Sequence, residues 1–310
     1  MKKISIIAPV YNEEKVIKKF CTEVRSSVVS LLGYETEIIL CIDRSSDSSL
    51  EVIRELATED KTLKVIYMSS RFGHQAALLA GLDHCESDIA IMMDSDLQHP
   101  PRLIPELVKK YEDGYDIVYT EKIDNKTMPL KSRITSALYY KFINIFAESR
   151  IHPQAADFRL ITRKVIEIFK NDLRENDLFI RGLISWVGFK QVCVPFKVDR
   201  REFGESKFSF NRLVSFALSG LLSFSLKPLR IATYIGLITT VFAGIFISYS
   251  LYSYFFAQVD LKGWTSLVIL ICFFSGIQLT VMGILGEYIG AIFVESKKRP
   301  QYIIDEKINF

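Results

Sequence analysis

Short, unbroken apolar runs punctuate the first part of the chain. Each is followed by a polar turn and then by a stretch whose apolar residues recur at helical spacing. The runs ISIIAPV (4–10), EIILCI (37–42), LKVIYM (63–68) and DIAIMM (88–93) lack the alternation of a half-exposed strand. They predict strands covered on both faces, as in a parallel sheet flanked by helices. Between them, NEEKVIKKFCTEVRSSVVSLL (12–32) predicts a helix with acids in its first turn. DSSLEVIRELATED (47–60) predicts a helix capped by Ser and Asp, and GHQAALLAGLDHC (73–85) a small-residue helix that packs closely on a sheet. Pro100 and Pro101 suit the start of another, with Leu103, Ile104, Leu107, Val108 and Tyr111 as its apolar face and Gly114 as its stop. This order implies an α/β domain with a mostly parallel sheet and right-handed crossovers. Ligands of such sheets bind beyond the carboxyl ends of the strands. Four polar stretches fall there: PVYNEE, DRSSD, SSRFGHQ and DSDLQ.

The pattern changes towards the C-terminus. Residues 231–257 contain no charge and residues 264–294 contain one, Glu287. Both stretches exceed the ~20 residues that cross a ~30 Å hydrocarbon layer, so they predict two transmembrane helices. Lys227 and Arg230 precede the first, and Lys297, Lys298 and Arg299 follow the second. The excess of positive charge on these flanks places them, the N-terminal domain and both termini in the cytoplasm. The first apolar run is too short for a signal peptide. Residues 208–230 mix aromatic and aliphatic side chains with Ser, Asn and Arg, which predicts interfacial helices lying on the membrane. The expected organisation is thus a cytoplasmic domain (1–207), the interfacial segment (208–230), two spans (231–257 and 264–294) and a cytoplasmic tail (295–310).

Composition adds exclusions. In 310 residues, 39 Lys and Arg stand against 36 Asp and Glu, a net charge of +3 that gives no reason to expect nucleic acid as a partner. Five cysteines, at 21, 41, 85, 193 and 272, form no CxxC pair and read as small apolar residues in a reducing compartment. Four scattered histidines show no metal-binding spacing.

The candidate chemistry centres on MMDSDLQHPP (92–101). Residues i and i+2 of a strand share a face, so Asp94 and Asp96 are expected side by side at the end of the fourth strand. Two adjacent carboxylates repel unless a cation neutralises them. The pair is either an acidic turn before a helix or a cation site.

The ordered set APVYNEE, FGHQAALLAGL, MDSDLQHPP, ADFRL, FIRGLISWVGF, REFGESKFS and SFSLKPLR spans nearly the whole chain. Together with the two spans, it resembles a family 2 glycosyltransferase with a Rossmann-like GT-A fold. The similar branch acts on polyprenyl phosphates and includes dolichyl-phosphate mannose synthases and bactoprenol glucosyltransferases. The resemblance implies that Pro9, Tyr11 and Glu13 line a nucleotide-sugar pocket and that Asp43 contacts the base. It implies that Asp94 and Asp96, with Gln98 beside them, hold Mg²⁺ or Mn²⁺ against the donor diphosphate, and that Asp157 is the catalytic carboxylate. A hard divalent ion suits such oxygen ligands.

Lys122 stands where a phosphate-binding arginine is typical, keeping the charge without the bidentate fork. Arg201, Ser206 and Lys207 match the element that binds the acceptor phosphate, and Ser136 matches a position near the acceptor. Arg201 and Lys207 also fit a basic anchor to anionic lipid headgroups. Arg181 is either a phosphate ligand or half of a structural ion pair, and Trp186 is read as core or interfacial packing. The loop 121–133 is a candidate lid.

Two departures stand out: IDRSS replaces the usual Asp-Asp-Gly-Ser, and His99, read as an N-cap, a surface residue or a functional one, occupies a position where an acid is usual. The implied reaction is inverting transfer of one sugar from a UDP- or GDP-sugar to undecaprenyl-type phosphate at the inner leaflet. Transfer to another lipid hydroxyl, or a membrane scaffold that binds the nucleotide sugar without turnover, are the alternatives. The branch includes homo-oligomers, and the sequence leaves the oligomeric state open.

Overall fold

The computed structural model describes residues 1–122, 155–176, 179–196, 227–256 and 263–310. The first part of the chain runs β1 (Lys2–Val10), α1 (Ile17–Val28), β2 (Tyr34–Ile42), α2 (Ser49–Glu59), β3 (Leu63–Met68), α3 (His74–Asp83) and β4 (Ile89–Met92). A 3₁₀ turn (Pro101–Leu103) leads into α4 (Ile104–Glu112) and β5 (Ile117–Lys122). Then come β6 (Ala155–Thr162), α5 (Arg163–Asn171), α6 (Ile180–Trp186) and β7 (Gln191–Phe196). Two long helices, α7 (Lys227–Phe256) and α8 (Trp264–Ser296), precede a last strand, β8 (Ile304–Ile308).

The strands form one eight-stranded sheet in the order β7-β5-β6-β4-β1-β2-β3-β8. The four apolar runs supply its centre, and Ile6 and Ile7, on opposite faces of β1, are both fully buried. Two faces need cover, which is why these runs are continuous rather than alternating. The sheet is mostly parallel, with β6 and β8 reversed. The reversal of β6 matters for the site. Met92 pairs with Arg159 and Ile91 with Leu160, so continuing that register two residues past β4 brings Asp94 opposite Asp157.

Helix α3 lies very close to the sheet. A Cβ on Gly81 would stand 2.3 Å from Ile7 Cγ2 and 3.0 Å from Cys41 Sγ. Both neighbours are fully buried, so any shift must be taken up inside the packed core. Gly81→Ala is therefore expected to destabilise the fold by about 1–3 kcal/mol even though alanine favours helix. Chemical denaturation of the two proteins would measure it, and an unchanged or raised midpoint would contradict the packing argument.

One local expectation needs correction. Helix α1 begins at Ile17 with no acid in its first turn. The Glu13 and Glu14 amides instead donate to Ser49 Oγ (2.9 Å) and Asp47 Oδ2 (3.2 Å), which fixes these residues in a turn joined to the next loop. The expected tail also carries a strand: β8 pairs antiparallel with β3. Its alternating exposure, with Asp305 and Lys307 outward, is the period of an edge strand. Tyr302 donates to Asp83 Oδ2 at 2.5 Å, and Arg174 grips the same carboxylate through two 2.8 Å bonds. Asn309 Nδ2 donates to the carbonyls of Ala57 (2.7 Å) and Leu63 (2.8 Å). The described chain accordingly divides into two units: the sheet and its helices together with residues 299–310, and the pair α7 and α8.

Helices α7 and α8, of 30 and 33 residues, expose apolar side chains such as Leu237, Phe242, Leu279 and Ile289. Each contains a stretch long and apolar enough to cross a membrane, Leu229–Tyr249 and Phe273–Ser296. The expected interfacial segment lies outside the described residues except for 227–230, which form the first turn of α7.

Candidate active site

At the carboxyl end of β1 the chain turns sharply, with Asn12 in the left-handed region at φ 57°. Its side chain and amide lace this turn to the loop after β2. The Asn12 amide donates to Ser45 Oγ (3.1 Å), and Asn12 Oδ1 accepts the Ser46 amide (2.8 Å). The unusual DRSS stretch thus acts as a brace between loops, and Arg44 Nη1 adds a 2.8 Å bond to the Ser69 carbonyl. Asp43 is only 4% exposed, and its two oxygens accept the amides of Phe72 (2.7 Å) and Gly73 (2.8 Å). Asp43, expected to contact the base, uses both oxygens to hold the loop before α3. Gly73 sits there at φ 94°, a conformation glycine adopts without strain.

Pro9, expected to line the pocket, is likewise buried inside β1, where its carbonyl accepts Ser95 Oγ at 2.8 Å. Tyr11 stands at the rim with the Arg71 guanidinium 4.1 Å above its ring. Glu13 belongs to the same turn, through its bond to Ser49. Arg71 lies in the polar stretch SSRFGHQ, where nothing local distinguishes it from its neighbours.

Asp94 and Asp96 do not end a strand. Strand β4 stops at Met92, and the two acids occupy the following turn, so the two-residue period of a strand does not orient them. Leu97 adopts φ 62°, and the Gln98 amide donates to Asp96 Oδ1 at 3.0 Å. Asp94 Oδ1 lies 2.7 Å from His74 Nε2. Burial alone would push the His74 imidazole down, but the hydrogen bond and charge of Asp94 outweigh it and hold its pKa above the ordinary value. His99 is neither a surface residue nor an N-cap. It is 2% exposed, and its ring stacks on Phe158 at 5.6 Å.

Asp157, near the start of β6, faces this turn. Arg181 on α6 binds it bidentately, Nε to Oδ1 at 3.2 Å and Nη2 to Oδ2 at 2.8 Å. The buried Arg159 lies 3.9 Å from Oδ1. Burial pushes the Asp157 carboxyl up, but the two guanidinium groups overcome it and hold its pKa below the usual range. Burial in turn lowers Arg159 to about 10, which leaves it protonated at neutral pH. Of the two roles open to Arg181, the structure shows the ion pair. Gln75 Oε1 accepts the Ile180 amide at 3.1 Å, so the first turn of α3 positions both Asp94 and the helix that carries Arg181.

Among the described residues no group of three or more His, Cys, Asp or Glu forms a metal cage. Asp94 and Asp96 offer carboxylate oxygens at the sheet edge, which fits a hard ion that draws its other ligands from water and substrate phosphates. Lys122 ends β5 at Phe196 of β7. Ser136, Arg201, Ser206, Lys207 and residues 123–133 of the expected lid lie outside the described residues. Trp186 is 60% exposed at the end of α6, which rules out a core role.

Residues 5–169 match the profile described as Glycosyl transferase family 2. The chain is 37% identical over 302 residues to the uncharacterized glycosyltransferase YkcC of Bacillus subtilis (strain 168), covering 97% of this chain and 93% of that one. It is 39% identical over 302 residues to a prophage bactoprenol glucosyl transferase homolog of Escherichia coli (strain K12), covering 97% and 98%. The bactoprenol glucosyl transferase of Shigella phage SfV matches at 39% over 302 residues, with the same coverage of 97% and 98%. With its mixed sheet of GT-A type and acidic turn after the fourth strand, this chain belongs to glycosyl transferase family 2.

Proposed function

We propose that this protein transfers one sugar, with inversion, from a UDP- or GDP-sugar to a polyprenyl phosphate of the undecaprenyl type at the cytoplasmic face of a membrane. The observation that carries the choice of acceptor is the bidentate Asp157–Arg181 pair. A hydroxyl acceptor must lose a proton as it attacks, which calls for a general base whose pKa lies near the working pH. A carboxylate held below its usual range by two guanidinium groups is poorly suited to that work. A phosphate monoester, with a second pKa near 6, arrives already anionic. Asp157 then orients the reactants and balances the cations that the acceptor meets. The relatives named bactoprenol glucosyl transferase support the same acceptor class.

Attack at the anomeric carbon passes through an oxocarbenium-like state, and a single displacement inverts configuration. Asp94 and Asp96 would hold Mg²⁺ or Mn²⁺, which when bound neutralises charge on the departing nucleoside diphosphate. Tyr11, under Arg71, offers a ring face to the nucleotide. Arg201, Ser206, Lys207 and Lys122 are assigned to phosphate, and Ser136 to the acceptor side.

Connectivity supports a membrane hairpin. The chain leaves the sheet-bearing unit before α7 and returns to it as β8, so both ends of the helix pair attach to one folded body. Spanning helices joined in this way cross an even number of times, and the basic flanks support a cytoplasmic position for that body.

The test is to incubate the full-length protein in detergent with undecaprenyl phosphate, Mg²⁺ or Mn²⁺ and a panel of UDP- and GDP-sugars, and to read the lipid by mass spectrometry. No glycolipid with any donor sinks the proposal. Asp157→Asn serves as a second arm. With a phosphate acceptor its rate is expected to fall less than about a hundredfold, whereas loss of a true base costs roughly 10²–10⁴.

A further inference from the structure

Asp94 is held from two directions by imidazoles. His74, the first residue of α3, brings Nε2 to 2.7 Å from Asp94 Oδ1. From the other side, His99 Nδ1 accepts the Asp94 backbone N–H at 3.1 Å. The His99 ring is clamped in turn, stacked on Phe158 at 24° between planes and edge-on to Phe196 at 6.2 Å. Phe158 follows Asp157 directly, so one buried ring ties the acidic turn to the start of β6. An amide proton aimed at Nδ1 makes that nitrogen the acceptor, and the neutral ring then carries its hydrogen on Nε2. The 3.4 Å approach of Asp94 Oδ2 to the same Nδ1 is consequently a contact between two acceptors, not an ion pair.

We infer that His74 and His99 are positioning residues for Asp94, the one fixing the rotation of its carboxylate and the other fixing its backbone where a divalent cation is gripped. The inference rests on the metal role of Asp94 proposed above. A carboxylate on a turn, unlike one on a strand, is not oriented by the sheet. Hydrogen bonds from outside the ligand set supply the missing constraint, and losing such a partner typically weakens metal binding. The His99 position has a further consequence: a neutral ring accepts the amide without adding a third negative charge beside Asp94 and Asp96.

The test uses the full-length protein in detergent. Calorimetric titration of UDP, and separately of GDP, at a series of Mn²⁺ concentrations gives an apparent Mn²⁺ affinity without requiring turnover. His74→Ala is expected to weaken that affinity by about 10–100-fold. His74→Gln, whose amide nitrogen reaches the place of Nε2, should restore most of the loss. His99→Leu should resemble His74→Ala, and His99→Asn, whose oxygen can accept the Asp94 amide, should resemble His74→Gln. A role in folding alone would move the Ala and Gln variants together, in step with their melting temperatures. Unsubstituted affinity in His74→Ala, or Gln no better than Ala, overturns the inference while leaving the metal reading intact. If the unsubstituted protein binds neither nucleotide more tightly with Mn²⁺, the metal reading falls and the inference falls with it.

Discussion

Asp94→Ala is expected to slow sugar transfer about a thousandfold while shifting the melting temperature by no more than about 2 °C. The size follows from what a bound cation contributes. Lewis-acid stabilisation of a leaving diphosphate is worth several kcal/mol, and each 1.36 kcal/mol is about a factor of ten in rate. The small thermal effect follows from position, because Asp94 lies in a turn at the sheet edge and not in the core. Asp96→Ala should behave alike. The double variant should be little slower than either single one, since two ligands of one ion act as a unit. Initial rates with the best donor from the panel, alongside thermal melts, decide the matter. A rate within tenfold of the unsubstituted enzyme would remove the acidic turn from the chemistry.

The largest stability effect is expected at the opposite end of β1. Glu37 is buried beside Ser5, its partner across the β1–β2 register, and Ser5 Oγ donates to Oε1 at 2.6 Å. Lys3 and Lys64 approach Oε2 at 2.8 and 3.1 Å. Replacing Glu37 by Leu removes the one carboxylate that both ammonium groups touch. Breaking a buried pair in this way costs about 3–5 kcal/mol, and the 30% exposure of Lys3 points to the lower end. That corresponds to roughly 6–12 °C in melting temperature for a domain of this size.

The pH dependence has a definite sign. Burial pushes the Glu37 carboxyl up, but Lys3, Ser5 and Lys64 together bring its pKa below the ordinary value. A group depressed on folding contributes stability that is present above its unfolded pKa, about 4.3, and is lost as pH falls through the folded one. Denaturation midpoints of the unsubstituted protein should therefore drop between neutral pH and about pH 3 by more than those of Glu37→Leu. Parallel curves would show that the carboxylate is not the source. The kcat at neutral pH should not follow these changes, because the network lies at the start of β1 and the site at its end.

Local pattern was a sound guide wherever burial is symmetrical. The four apolar runs became β1 to β4 because a strand covered on both faces is apolar along most of its length, and the buried exceptions Ser5 and Glu37 satisfy each other. The pattern was a poorer guide where another segment decides. The first helical residue of α1 depends on the side chains of Asp47 and of Ser49, the first residue of α2. Strand β8 is invisible to pattern alone because five alternating residues carry too little signal until the open edge of β3 is known. His99 reads as polar and exposed, and it is buried because two aromatic rings from β6 and β7 close around it.

The sequence by itself determined the class of fold, the two apolar helices, and the residue types collected at the strand ends, since period and length carry that information locally. Only the tertiary structure decided what those residues touch. Asp157 lies within electrostatic reach of Asp94 and pairs with Arg181 because β6 enters the sheet antiparallel beside β4, an arrangement set by backbone hydrogen bonds between distant segments. Asp43 became a brace and Asp157 a locked carboxylate for the same reason. A side chain's partners depend on where separate stretches of backbone come to lie, and no local spacing records that.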